Sequence, residues 1–311
     1  MEVRERRRHR AGEPRRFKST PWTTDGRSAW SLGRVATPLH AAYNRAMRWL
    51  TVALLALWTA IPRGGAGAAW TLPDEEVLSY AIKLGGWTVV DATFALRSRD
   101  RAADQHTVFV EATTTSIPSR IYRVRNVYET LVDVRTGLPQ AYRKECDEAR
   151  FQESSSVEYD QADGTAMHTG GARASRRVVL AADTHNLFTA LYYLRRHDFT
   201  AYPMTDFHLD AKGVYWHARA TRTRNLRTAY GDLWEVRVDF TRAGGLDEPV
   251  QSDLLTDNIV RADTPLTLHI RPGSTDPARP PMVVRMEYEV RGFGLTAVLR
   301  DEDKTTDDDD D

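Results

Sequence analysis

The chain has 311 residues, a formal net charge of zero and 41% hydrophobic residues. Residues 1–68 hold 13 Lys and Arg against 4 Asp and Glu, which leaves 30 against 39, or minus nine, in the remainder. An acidic remainder speaks against a general nucleic-acid binder, which needs accumulated positive charge to meet phosphates. A lone cysteine, Cys146, excludes an intramolecular disulfide and a cysteine-based zinc site.

Residues 1–46 are rich in arginine, including Arg6-Arg7-Arg8-His9-Arg10, and lack apolar periodicity, so a disordered basic extension or a start at Met47 is expected. Met47-Arg48 then precedes an apolar run, Trp49 to Ile61, followed by Pro62-Arg63-Gly64-Gly65 and the small residues Ala66-Gly67-Ala68. That layout predicts a signal peptide over 47–68, cleaved after Ala68. A transmembrane span is disfavoured, since the run is far shorter than the roughly 20 residues required. Residues 69–300 are expected to form a single β-rich domain in the periplasm of a Gram-negative cell envelope. The acidic residues 301–311 read as a disordered tail.

Within 69–300, short segments of alternating character recur between Gly, Pro, Asp or Asn, the all-β pattern. Predicted strands are Glu76 to Leu84, Thr88 to Ser98, Thr107 to Ala112, Asn126 to Val134, Gln140 to Ala149, Gln152 to Asp160, Arg176 to Ala181, Asp206 to Asp210, Val214 to Ala220, Leu233 to Phe240, Leu266 to Ile270, Val284 to Val290 and Leu295 to Leu299. In Leu233 to Phe240 the residues Trp234, Val236, Val238 and Phe240 share one face, while Glu235, Arg237 and Asp239 share the other. So many consecutive strands imply an antiparallel meander that twists into a curved sheet, barrel or half-barrel. Cys146 reads as a reactive thiol or, in better keeping with its type, as a buried small hydrophobe.

One segment departs from this period. Asn186 to Arg196 reads as a helix capped by Asn186, with Leu187, Ala190, Leu191 and Leu194 as its apolar stripe, widened by Phe188 and Tyr192. Such a helix is expected inside the sheet or across its mouth.

Several strings then fall in a familiar order: Asp74-Glu75-Glu76-Val77-Leu78-Ser79-Tyr80, Val132-Asp133-Val134-Arg135-Thr136-Gly137-Leu138-Pro139, Tyr142-Arg143-Lys144, Val157-Glu158-Tyr159-Asp160, Asn186 to Arg195, and Pro281-Met282-Val283 leading to Arg291-Gly292-Phe293-Gly294-Leu295. Over residues 72–299 this resembles the uncharacterised exported bacterial family called domain of unknown function 3108. The sequence departs from the family pattern in lacking its Gly before the opening Glu and in having Asn186 in place of Asp. The resemblance implies an envelope setting and a sheet wrapped around one helix, and it brings no catalytic residues.

Chemistry-bearing motifs are sparse. The histidines His106, His168, His185, His197, His208, His217 and His269 lack the close spacing of a metal motif, no Gly-x-Ser-x-Gly elbow is present, and carboxylate neighbours such as Glu75-Glu76 suit solvent. No catalytic residue, metal or cofactor is therefore assigned, and the reading leans away from an enzyme. Arg219, Arg222, Arg224 and Arg227 beside Trp216 form a basic cluster, open either to phosphate or carboxylate recognition or to cross-strand ion pairs. Arg195 could join that cluster or offset the helix's negative pole. Two readings result. A lipid or other amphiphile would lie in the curved sheet against Phe188, Leu191, Tyr192 and Trp216, with Arg219 and Arg222 near its head group. Alternatively, a solid barrel would act as a structural or assembly factor for an envelope complex, glycan or surface polysaccharide. An envelope glycan or lipid hydrolase is the third and weakest reading.

Overall fold

The computed structural model describes residues 72–300 except 101–103, 117, 119–121, 150, 171–172, 246–252, 254, 257, 274–279 and 291. The basic extension, the leader and the acidic tail lie outside the described residues. What is described is mainly β, as the alternation requires: one sheet of fifteen strands and the single helix.

The strands are β1 (Glu75–Leu84), β2 (Trp87–Asp100), β3 (Gln105–Thr114), β4 (Val124–Asp133), β5 (Pro139–Glu148), β6 (Phe151–Asp160), β7 (Thr165–Gly170), β8 (Arg173–Val179), β9 (Thr184–His185), β10 (Met204–Ala211), β11 (Val214–Thr228), β12 (Gly231–Gly245), β13 (Leu266–Arg271), β14 (Met282–Val290) and β15 (Phe293–Leu299); helix α1 is Leu187–Arg196. Two meandering arms, β1 to β8 and β10 to β15, are joined where β1 pairs with β15, Tyr80 opposite Leu299 and Leu84 opposite Leu295. Every strand pair is antiparallel except β9 with β10. A parallel pair needs a crossover between its strands, and α1 is that crossover.

Bulges at Ile82/Lys83, Leu131/Val132, Tyr215/Trp216 and His269/Ile270 break the register of several ladders. Each bulge bends its strand and increases local twist, which curls the strip so that its edges, β8 and β9, approach one another. Among the described residues no ladder joins those edges. Side chains of the strands behind them link the two arms instead: Tyr159 of β6 donates to Asp210 of β10 at 3.0 Å, His168 Nε2 of β7 lies 3.3 Å from the same carboxylate, and Lys212 meets Glu153 of β6 at 3.2 Å. Val157, Ala166, Val178 and Leu180 form a small apolar cluster beneath this seam, with Tyr215 packed on it.

The inward face of the curl holds the main core, including Val236, Val238, Leu268, Ile270 and Val284. On β12 the predicted alternation holds: Val236, Val238 and Phe240 are buried while Arg237 and Asp239 are exposed. Strands β7 and β9 escape the sequence reading because Thr165–Gly170 has no apolar alternation and β9 is two residues long.

Helix α1 fills the space the curled sheet encloses. Its start carries a reciprocal cap: the Thr189 N–H donates to Asn186 Oδ1 at 3.0 Å, and the Asn186 N–H donates to Thr189 Oγ1 at 3.1 Å. The Asn186 amide also donates to Thr130 Oγ1 on β4 at 3.0 Å, so one residue caps the helix and docks it. At the other end Arg195 turns inward. Its guanidinium grips Glu76 of β1 through two bonds, 2.6 and 2.7 Å, and donates from Nε to the Pro281 carbonyl at 2.7 Å. Tyr192 donates to the same carboxylate at 3.1 Å.

Both partners of this pair are largely shielded from water, so removing one strands the other's charge. Arg195→Leu or Glu76→Met alone is expected to lower stability by about 3–5 kcal/mol, and the double substitution to regain most of it. Urea denaturation of the four proteins checks this, and additive losses would contradict it.

Candidate functional site

The residues expected to line a ligand cavity separate into two groups. Phe188, Leu191 and Tyr192 come together on the inward side of α1. Phe188 sits among Phe94, Tyr128 and Tyr142 at ring separations of 5.9, 5.4 and 6.3 Å. Between α1 and strands β1, β2 and β14 there remains a void of about 20 Å³, lined by Leu78, Tyr80, Phe94, Phe188, Leu191 and Tyr192 among others. That is about the room one water needs.

Trp216, Arg219 and Arg222 do not line this void. Trp216 is half-buried on β11 and packs against the main core, its indole N–H without a hydrogen-bond acceptor. Arg219 is exposed and forks onto Asp206 of β10 at 2.8 and 3.3 Å. Arg224 pairs with Glu235 at 2.6 Å and Arg227 with Asp232 at 3.3 Å, so three members of the basic cluster form cross-strand ion pairs. Arg222 is half-buried, and its backbone N–H donates to the Pro203 carbonyl at 2.8 Å.

A second cluster is absent from the sequence reading although its signal was there. Period two on β5 puts Lys144, Cys146 and Glu148 on one face, so burying Cys146 buries the other two. Lys144, 2% exposed, lies 3.0 Å from Glu153 and 3.2 Å from Asp253, which is fully buried. Asp253 also accepts from the Leu255 N–H, the Thr256 N–H and the Thr256 hydroxyl at 2.8, 2.7 and 2.7 Å, and from Tyr128 at 3.3 Å. The Asn126 amide donates to Glu148 at 2.8 Å and to the Tyr128 hydroxyl at 2.9 Å.

Burial alone would raise the Asp253 carboxyl; the Lys144 charge and the Thr256 and Leu255 bonds outweigh it and hold the group below its ordinary range. Burial, with Asp253 nearby, pushes the Cys146 thiol up, and the same two causes push the Tyr128 phenol up. A thiol held protonated is a poor nucleophile. The arrangement is chemically a lock: it ties the segment around Asp253 to the wall formed by β4 and β5. Among the described residues no group of three His, Cys, Asp or Glu is placed to hold a metal ion, and no helix is long and apolar enough to cross a membrane.

Two open grooves mark the described surface. One of about 690 Å³ is lined by residues of β1, β13, β14 and β15. The other, about 570 Å³, is lined by residues of β5, β6 and β7 and their connections.

Two outcomes follow from the buried groups. Burial, with a smaller contribution from His208, lowers His185 from 6.5 to about 4, so the unfolded chain takes up a proton that the folded chain refuses over that interval. Its contribution to stability is therefore complete above pH 6.5 and falls by about 3 kcal/mol as the pH drops to 4. Urea midpoints across this range should show that loss, and His185→Gln should flatten it. The Cys146 thiol should resist a thiol-specific reagent in the folded protein and react once denaturant unfolds it; rapid labelling of the native chain would contradict its placement.

No curated protein matches the chain. Among solved structures it is similar to a beta-barrel-like protein of domain of unknown function DUF1849 from Brucella abortus, at 9% identity and a TM-score of 0.46, over 75% of this chain and 98% of the other. Residues 79–298 match the family model described as protein of unknown function, DUF3108. That match takes in the sheet from β1 to β15 together with the helix it encloses, and on it the chain belongs to the DUF3108 family.

Proposed function

We propose that this chain is a non-enzymatic protein of the cell envelope, exported to the periplasm, that works through its outer surface as a structural or assembly factor for an envelope complex or surface polysaccharide. The observation that carries this reading is the filling of the interior: the void beside α1 amounts to about 20 Å³, whereas ligand pockets typically measure about 300–1,000 Å³. Export is supported by the leader layout of residues 47–68, upstream of the matched region that begins at residue 79. The non-enzymatic reading is supported by the buried groups, since Lys144 and Asp253 are engaged with one another.

A lipid or other amphiphile inside the sheet is the second reading, favoured by the apolar lining of Leu78, Phe94, Phe188 and Leu191 with Arg195 at its edge. Burial would contribute about 0.8 kcal/mol per methylene. Entry would first require α1 to move, breaking the Glu76–Arg195 pair.

Fractionating cells that express the full chain, sequencing the N-terminus of the protein and extracting it with organic solvent for mass spectrometry tests both readings. The expected result is a periplasmic protein beginning at Ala69 with no stoichiometric lipid. A stoichiometric amphiphile would overturn the surface reading, and a cytoplasmic protein with an intact leader would overturn the envelope setting.

A further inference from the structure

We propose that Lys144 and Asp253 join in an intramolecular isopeptide bond, an amide between the lysine Nζ and the aspartate Cγ that forms with loss of one water. The two residues lie 109 positions apart, one on β5 and the other in the connection from β12 to β13, so the bond staples the two arms of the sheet through the interior. With one cysteine among its 311 residues, the chain has no internal disulfide to serve that purpose.

Four features of the site suit this reaction. Nζ lies 3.2 Å from Asp253 Oδ2, one bond from the carbon it attacks, and holding both groups in one buried place makes their encounter unimolecular. The carboxylate is held asymmetrically. Oδ1 accepts from the Leu255 N–H, the Thr256 N–H and the Tyr128 hydroxyl at 2.8, 2.7 and 3.3 Å, so donors are aimed at the oxygen on which negative charge builds as an amine adds to Cγ. Oδ2 faces Nζ and accepts from the Thr256 hydroxyl at 2.7 Å. Next, a second carboxylate is at hand to carry protons: Glu153 Oε2 lies 3.0 Å from Nζ and is steadied by Lys212 at 3.2 Å. Lastly, Lys144 and Asp253 are buried, and two opposite charges held out of water bear a desolvation cost that a neutral amide does not. The steps balance without a co-reactant. One proton passes from Nζ to Oδ2, leaving a neutral amine and a carboxylic acid. Nitrogen then bonds to Cγ, and an electron pair of the carbonyl moves onto Oδ1. Glu153 takes a second proton from the nitrogen and returns it to the departing Oδ2. The Cγ–Oδ2 bond breaks, the Oδ1 carbonyl re-forms and water leaves.

Mass spectrometry of the full chain, purified folded and then denatured, is the test. The intact mass should fall short of the free chain's by one water, counted from the N-terminus found by sequencing. Trypsin should fail to cut after Lys144, and one branched peptide should carry Lys144 linked to Asp253. Glu153→Gln keeps the Lys144–Asp253 contact and should form the bond about a hundredfold more slowly or worse, followed as the cross-linked fraction against time after synthesis. Asp253→Asn should form the same bond with loss of ammonia in place of water. Near-UV circular dichroism confirms folding, and the parent's mass and peptide map alone decide the matter if a variant misfolds. The proposal is overturned if the folded parent has its full mass and is cut after Lys144, or if the missing water maps to another position. A folded Glu153→Gln chain that cross-links at the parental rate overturns the proton-carrying route. The envelope reading is tested separately, since fractionation and extraction give the same result with or without the bond.

Discussion

The meeting of Arg195 with Glu76 is the interaction on which the arrangement of the interior depends. A helix enclosed by a sheet must bring its last turn, with its unpaired carbonyls and any charge it carries, out of water. Here the charge is a guanidinium, and it lies where a carboxylate from β1, a carbonyl before β14 and the face of the Tyr192 ring converge. That single contact joins the helix to the two arms of the sheet at once, because β1 belongs to one arm and β14 to the other. The cap at Asn186 fixes the opposite end to β4 through Thr130. Between these anchors the apolar stripe has only to fill space, and Phe188, Ala190 and Leu194 do so.

Most of this architecture was legible in the residues because it rests on local periodicity. Alternation marks β12 and β14 clearly, and Asn186 marks the helix start, since cap and stripe are both short-range signals. What stayed hidden depends on contacts between residues distant in sequence. The stripe assigned to ligand contact, Phe188, Leu191 and Tyr192, has the same spacing whether it faces a cavity or a packed wall. Arg195 lies 119 residues from Glu76, and no spacing rule pairs them. The joining of the arms through β1 and β15 is likewise non-local. Lys144 and Glu148 are a different case, since the parity of β5 already placed them beside Cys146; charged side chains are almost never fully buried unless paired, and the partner Asp253 lies 109 residues from Lys144.

The interior therefore combines two kinds of material. Around α1 it is aromatic and aliphatic, with Phe94 edge to face on Tyr80 and Phe188. Toward β5 it is ionic, with Lys144 balanced by Asp253 and Glu153. Replacing such a pair with hydrocarbon is often neutral or stabilising, so its value lies in specificity: Asp253 organises its own turn through Leu255 and Thr256 and fixes that turn to one place on the wall. The outer face is organised by the same cross-strand logic, with Arg219, Arg224 and Arg227 each set against an acidic neighbour. Charge on both faces is used in pairs.

The seam between β8 and β9 gives the strip a mechanical asymmetry. Residues 180–183 stitch the two free margins together at one end of the curl, where β8 finishes and β9 begins. At the other end, beside the β10–β11 turn, side chains span the gap: Lys212 to Glu153, and Tyr159 and His168 to Asp210. A cylinder closed by a continuous ladder resists parting equally along its length, but this one is hemmed at one end and merely buttoned at the other. Parting the margins at that end would break side-chain contacts alone and leave every inter-strand ladder intact.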